Sequence, residues 1–241
     1  MEEEKPKEAP YAVSFLSEVL GTIILMYIGC MGCVDSFQLG PTLPAFTFGL
    51  AILACIQITD HISPTHINPG VSIAFLIAGK MHWKRLLVYI PAQYIGCLIG
   101  YGLLRLTVTN ATGLCHLKVK EPLSVFQAFG TEIICSFTLM IIVFGATDPR
   151  NASRSDSFAL RVALGITGII FAAEPYTGAG LNAARSFPSA IFDMNFKDHW
   201  VYELGPPIGQ CLAAVLYRFT FSIEEKYSLH TFLTTKRGAD Q

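Results

Sequence analysis

The sequence predicts an all-α membrane protein: six transmembrane helices and two re-entrant half-helices, arranged as inverted three-helix repeats. Three observations carry this. The 241 residues are 52% hydrophobic and only 15% charged, with a mean hydropathy of +0.47, whereas soluble domains carry about 25% charged residues. Six apolar runs approach the roughly 20 residues that cross a bilayer. The chain also repeats itself at a spacing of 114 residues, since Glu18 is matched by Glu132 and Asn68 by Asn182. The net charge of -1 argues against a nucleic-acid partner.

Taken in order, residues 1–11 form a polar, mixed-charge tail. The first span, 12–35, is too long for the apolar core of a cleavable signal, so it is expected to act as its own anchor. Spans follow at 44–62 and 86–108, then at 124–147, 158–173 and 199–221, with a polar tail over 222–241. Between them lie two shorter segments, 68–79 and 182–192, each preceded by Gly, Pro or His. Neither is long enough to span. Irregular backbone at membrane depth survives only against protein or a water-filled cavity, so the two segments imply a cavity.

Ser17-Glu18-Val19-Leu20 is echoed by Thr131-Glu132-Ile133-Ile134, and Ile95-Gly96-Cys97-Leu98 by Ile208-Gly209-Gln210-Cys211-Leu212. The units, 12–108 and 124–221, each hold three spans and so insert in opposite directions. A broken helix in each half puts the site near the midplane, between the halves. Basic residues set the orientation. Twelve Lys and Arg, including Lys5, Lys80, Arg150 and Arg218, share the side of the termini, against five opposite, among them Lys118 and Arg185. Both termini are therefore expected in the cytoplasm. The sequon at Asn110 then faces outside, and the one at Asn151 faces inside and stays bare.

Asn68 and Asn182 are strong N-caps for the half-helices, with Pro69 at the first helical position, where it is favoured, and Ala183 in the matching place. Inversion would bring the two helix N-termini head-on, each with roughly half a positive charge, a barrier to cations and protons. Glu18 and Glu132 sit inside apolar spans, where a charge costs about 2.5–3.5 kcal/mol or more. One copy per half suits a bracing role, accepting N–H groups from the loop that enters each half-helix, better than a proton relay. His61 and His66 flank the first loop without an acidic or Cys partner nearby, so His66 is read as a brace and not as a metal ligand. The seven cysteines are scattered, most of them in apolar segments, and are read as small packing residues, Cys30-Met31-Gly32-Cys33 included. Cys115 alone falls in an evident loop. No P-loop, Gly-x-Ser-x-Gly or nucleophile–base set is present, so neither an enzyme nor a cofactor is expected.

These residues resemble the aquaporin (major intrinsic protein) family over about 12–221. The carriers are Ser17-Glu18-x-x-Gly21-Thr22, Phe48-Gly49-Leu50, His61-Ile62-Ser63, His66-Ile67-Asn68-Pro69, Ala92-Gln93-Tyr94-x-Gly96, Thr177-Gly178-x-Gly180-x-Asn182-x-Ala184-Arg185-Ser186-Phe187 and Gly205-Pro206. The family's two Asn-Pro-Ala motifs are Asn-Pro-Gly at 68–70 and Asn-Ala-Ala at 182–184. Losing Pro at 183 should loosen that cap without abolishing it. The resemblance implies an hourglass bundle in the membrane lipid, a homotetramer with one pore per subunit, and plasma-membrane residence. It also implies a selectivity filter of Phe48, Ala179, Arg185 and a position in the fifth span. That position is Ile170, or Ile169 if Glu174-Pro175 holds an inserted residue. Water-selective members carry His there. An apolar residue instead implies a wider opening that passes water and glycerol or other small uncharged solutes such as urea. Ser186, Ala190 and Tyr202 are water-type, Glu203 replaces the usual Trp, and Gly29-Cys30-Met31-Gly32-Cys33 suits the insect glycerol-permeable branch. The family's usual mercury-sensitive Cys is Ala179 here. Two other readings stand beside the channel. One is a pore-poor junctional protein of the same fold, suggested by the altered motifs, and the other a proton-coupled transporter using Glu18 or Glu132. Ser228, Thr231, Thr234 and Thr235 lie near basic residues in a tail read as solvated.

Overall fold

The computed structural model describes residues 9–34, 39–109 and 111–222. Asn110, Lys5 and the tail residues Ser228, Thr231, Thr234 and Thr235 lie outside them. The helices are α1 (Tyr11–Met31), α2 (Thr42–Thr59), α3 (Pro69–Ile77), α4 (Trp83–Thr107), α5 (Val125–Ala146), α6 (Phe158–Thr177), α7 (Ala183–Phe192) and α8 (Trp200–Leu216), with a 3-10 segment at Pro149–Ser157. By length and composition, α1, α2, α4, α5 and α6 can each cross a membrane. Helix α8 has 17 residues in α geometry, about 26 Å, and runs on as a π-helical turn over Tyr217–Phe221. The expected end of the fifth span at 173 is corrected. Helix α6 continues through Glu174 and Pro175 to Thr177, where Gly178 at φ +80° closes it in the left-handed conformation that glycine tolerates.

Local signals account for the helix starts. Ser124 and Gln127 form a reciprocal capping box at α5, and the His82 ring accepts the Lys84 N–H at α4. Asn68 and Asn182 cap α3 and α7.

The two repeats pack alike. Helix α1 crosses α4 at Gly96, where an added Cβ would lie 2.5 Å from the Val19 carbonyl oxygen. Helix α5 crosses α8 at Gly209, where a Cβ would meet the Ile133 carbonyl even more closely. Such small residues let helix backbones approach without help from the hydrophobic effect, which is weak between helices in lipid. The halves join through α2 against α6, with Gly49 against Ala163 and Thr167. Each half-helix also packs on the opposite repeat: α3 against α8 and α7 against α4, where Phe187 meets Tyr94 edge-on at 5.3 Å. At one end of the bundle, Arg218 Nη1 donates to the Ile77 carbonyl at the C-terminus of α3. Arg150 holds Asp148 by two side-chain bonds of 2.7 Å, keeping that carboxyl well below the usual carboxylate range.

The polarity is inverted relative to a soluble protein. Leu16, Leu87, Leu106, Phe126 and Ile134 are more than 60% exposed, while Glu18, Gln93, Glu132 and Gln210 are buried. Apolar side chains outside and polar ones inside suit a bilayer surround.

Gly209→Leu is expected to destabilise the protein by about 1–3 kcal/mol through overpacking at the α5–α8 crossing. Gly130→Ala, where a Cβ meets nothing within 4 Å, should stay within about 0.5 kcal/mol of the parent. Thermal unfolding in detergent, monitored by tryptophan fluorescence, checks both.

Candidate functional site

Each half-helix is entered by a loop held on a buried carboxylate. Glu18 Oε1 accepts the His66 N–H at 2.8 Å and Oε2 the Ile67 N–H at 2.7 Å. Glu132 repeats this with Gly180 and Leu181, both at 2.8 Å. A third donor completes each shell: Gln93 Nε2 at 2.7 Å on Glu18 and Thr177 Oγ1 at 2.7 Å on Glu132. Each carboxylate thus accepts from three donors, and neither lines either cavity. The loops are bent sharply to make these bonds. Ile67 sits at φ +47°, Ala179 at +52° and Leu181 at +56°, a region that β-branched and bulky residues rarely adopt. Tyrosine hydroxyls pin both loops further back. Tyr89 bonds Ser63 Oγ at 2.6 Å, and Tyr202 donates to the Thr177 carbonyl at 2.8 Å. Sequence reading placed Ser63, Thr177 and Tyr202 only within motifs, did not single out Tyr89, and missed both pairings. The signal was available, because Ser63 and Thr177 are 114 apart and Tyr89 and Tyr202 are 113 apart.

The two helix N-termini meet. Asn68 Oδ1 accepts the Gly70 N–H at 3.0 Å, and Asn182 Oδ1 accepts the Arg185 N–H at 3.3 Å. The cap without proline is the longer one and reaches one residue further. Each amide then crosses to the other loop: Asn68 Nδ2 donates to the Leu181 carbonyl at 2.9 Å, and Asn182 Nδ2 to the Ile67 carbonyl at 2.8 Å. Each NH2 has two donors, one is spent on the cross-link, and one remains beside the cavity. His66 braces its loop as expected, its Nδ1 3.0 Å from Ser72 Oγ and its ring 4.4 Å from that of Phe75.

A cavity of about 150 Å³ runs from Asp60, Thr147 and Phe158 past both asparagines to Arg185. A second, of about 190 Å³, opens beyond it and is bounded by Cys33, Cys115, His116, Lys118, Lys120 and Glu174, among others. Four residues border both: Phe48, Ile170, Ala179 and Arg185. The family resemblance implied these same four for a filter. Ile170 takes the fifth-span place, while Ile169 borders neither cavity and packs at the edge of the core. The Arg185 guanidinium lies 4.9 Å above the Phe48 ring. Its Nη1 donates to the Cys115 carbonyl at 3.3 Å, and its Nη2 to Cys115 Sγ at 3.4 Å. The residues 114 earlier than Ile170, Ala179 and Arg185 are Ile56, Thr65 and Val71, and the residue 114 later than Phe48 is Val162. All four line the first cavity. The arginine is therefore the charge that distinguishes one end of a pseudo-symmetric path from the other.

Two expectations are corrected. The cysteines are not all packing residues, because Cys30 on α1 is disulfide-bonded to Cys115, 85 residues on. Glu203 is also more than a lost Trp. It accepts from Tyr94 Oη at 2.8 Å and Ser186 Oγ at 3.0 Å, joining α4, α7 and α8.

Comparison with known proteins agrees with this geometry. The family model described as "Major intrinsic protein" matches residues 6–217. The lens fiber major intrinsic protein of Oryctolagus cuniculus is 35% identical over 234 residues, covering 92% of this chain and 88% of its own. That of Bos taurus is 38% identical over 193 residues, 77% of this chain and 73% of its own. Among solved structures, the aquaglyceroporin from Plasmodium falciparum superposes with a TM-score of 0.73 at 23% identity, over 88% of this chain and 97% of that one. At that identity the likeness speaks for the fold.

Glu132→Gln leaves one of the two loop N–H groups without an acceptor, because the new amide nitrogen is itself a donor. The expected cost is about 1–3 kcal/mol, read as a lower thermal midpoint in detergent. An unchanged midpoint contradicts the bracing role.

Proposed function

The chain belongs to the major intrinsic protein family, and from that premise we propose a passive channel that admits water together with glycerol or other small uncharged solutes such as urea, and excludes protons and ions. The coarse activity comes with the family, whose members are membrane channels for water or small solutes and not enzymes. The finer reading is carried by one observation. The ring that separates the two cavities sets a single cation, Arg185, against a wall of Ile170, Ala179 and Phe48. Selectivity in such pores reduces to diameter, lining donors and acceptors, and electrostatic barriers. A polyol fits this ring with its hydroxyls toward Arg185 and its carbons toward Ile170 and Phe48. Further in, the spare N–H groups of Asn68 and Asn182 reach the passing oxygen, and the facing N-termini of α3 and α7 repel cations.

The channel is read as a homotetramer in the plasma membrane with both termini in the cytoplasm. The excess of Lys and Arg on the side of the termini and the exposed leucines and isoleucines of the outer helix faces support that arrangement. The second cavity then opens to the outside.

Stopped-flow light scattering on proteoliposomes, with water and then glycerol gradients, tests the reading. Permeability to neither above protein-free vesicles refutes the channel, and water alone refutes the filter argument. Ile170→His, which adds a ring with its own donor, should cut glycerol permeability about tenfold, roughly 1.4 kcal/mol in barrier, while water flow persists. Arg185→Val, which copies Val71, should admit more solutes.

A further inference from the structure

Three sulfur atoms converge beside the filter arginine. Cys30 and Cys115 are bonded to one another. Cys33, in the turn just past α1, where its N–H donates to the Cys30 carbonyl at 3.1 Å, brings its Sγ to 3.4 Å from Cys115 Sγ. Cys33, Cys115 and Arg185 all line the second cavity, so a small solute there has access to the two cysteines as well as to the arginine. Cys115 also supplies both hydrogen-bond acceptors of the guanidinium, through its carbonyl oxygen and its sulfur. Its backbone is at φ +64°, a conformation an L-residue seldom keeps without outside support. The covalent tie to α1 is such support.

We propose that Cys30, Cys33 and Cys115 form a thiol–disulfide site that holds the filter arginine in place, so that solute passage responds to the thiol redox state on the Cys115 side of the protein. The proposal rests on the channel reading. Two steps operate it. In exchange, the Cys33 thiolate attacks Cys115 Sγ, the bond to Cys30 breaks, and Cys30 leaves as a thiolate that takes up the proton Cys33 lost. No net oxidation occurs, and Cys115 stays tethered. In reduction, a small dithiol entering the cavity attacks the bond, forms a mixed disulfide, and leaves as a cyclic disulfide. Two electrons and two protons pass to the protein, and Cys115 is freed. Arg185 then loses its fixed carbonyl partner and the ring loosens on its polar side. Glycerol, the larger solute, gains more than water does.

The test uses the full chain in proteoliposomes. Alkylation with N-ethylmaleimide and peptide mapping should find Cys115 bonded to Cys30, with a fraction bonded to Cys33. After dithiothreitol, with loss of the bond checked by the same mapping, the glycerol-to-water permeability ratio should rise about fivefold, the lower range of coupling between two sites. Cys115→Ser should show the raised ratio without reductant and no further response. Cys33→Ser should keep the response and lose the alternative bond. A ratio that does not rise once the bond is gone overturns the proposal, as does mapping that finds Cys115 free throughout. Those outcomes leave water flow intact, whereas vesicles that pass neither solute in either state refute the channel reading itself.

Discussion

Two buried carboxylates hold the interior together. Glu18 and Glu132 each sit in the middle of an apolar helix, at a cost that only full hydrogen bonding offsets. Each finds two backbone N–H groups that no helix serves, on the loop leading into a half-helix. The bargain is mutual: the helix neutralises the loop's unpaired donors, and the loop solvates the helix's charge. It also sets the geometry. Held at positive φ, Ile67 and Leu181 turn the chain so that Asn68 and Asn182 begin the half-helices face to face and reach across to each other's loop. Everything the cavity offers a solute follows from that arrangement.

The arrangement is nearly symmetric, and function lies where the symmetry fails. Leu25 and Leu139, Ile52 and Ile166, and the two asparagines line the first cavity as repeat-related pairs. Against that background Arg185 stands opposite Val71 in the other repeat. Its anchor, Cys115, lies in the connection between the repeats, which has no counterpart within either of them. The proposed filter thus draws on the parts least constrained by the repeat: the scaffold supplies the cavity and the facing helix N-termini, and Arg185 with its loop supplies the charge at one end.

Most of the scaffold was legible in the sequence because its physics is local or periodic. A run of apolar residues long enough to cross a bilayer, an Asn at the head of a short helix, and a carboxylate recurring after 114 residues each carry their cause with them. The fifth-span residue at the cavity became definite only in three dimensions. Sequence left Ile169 open in case Glu174-Pro175 held an inserted residue; the structure runs α6 through both residues to Thr177 and puts Ile170, not Ile169, on the cavities. The Cys30–Cys115 bond was illegible for a different reason. Its partners are brought together only by the path of the loop after α4; Cys30 lies in an apolar run like a packing residue, and nothing in the loop around Cys115 names its partner. Glu203 was read as a missing Trp, because only packing reveals that it gathers hydroxyls from α4 and α7.

Facing helix N-termini and clamped asparagines are proposed to make a path for uncharged molecules that a proton cannot follow. The most direct test traps a pH-sensitive dye inside proteoliposomes and imposes an osmotic and a proton gradient together. The vesicles are expected to shrink faster than protein-free ones while their internal pH drifts no faster than in bare lipid. A proton flux that grows with protein content, alongside the water flow, would contradict it.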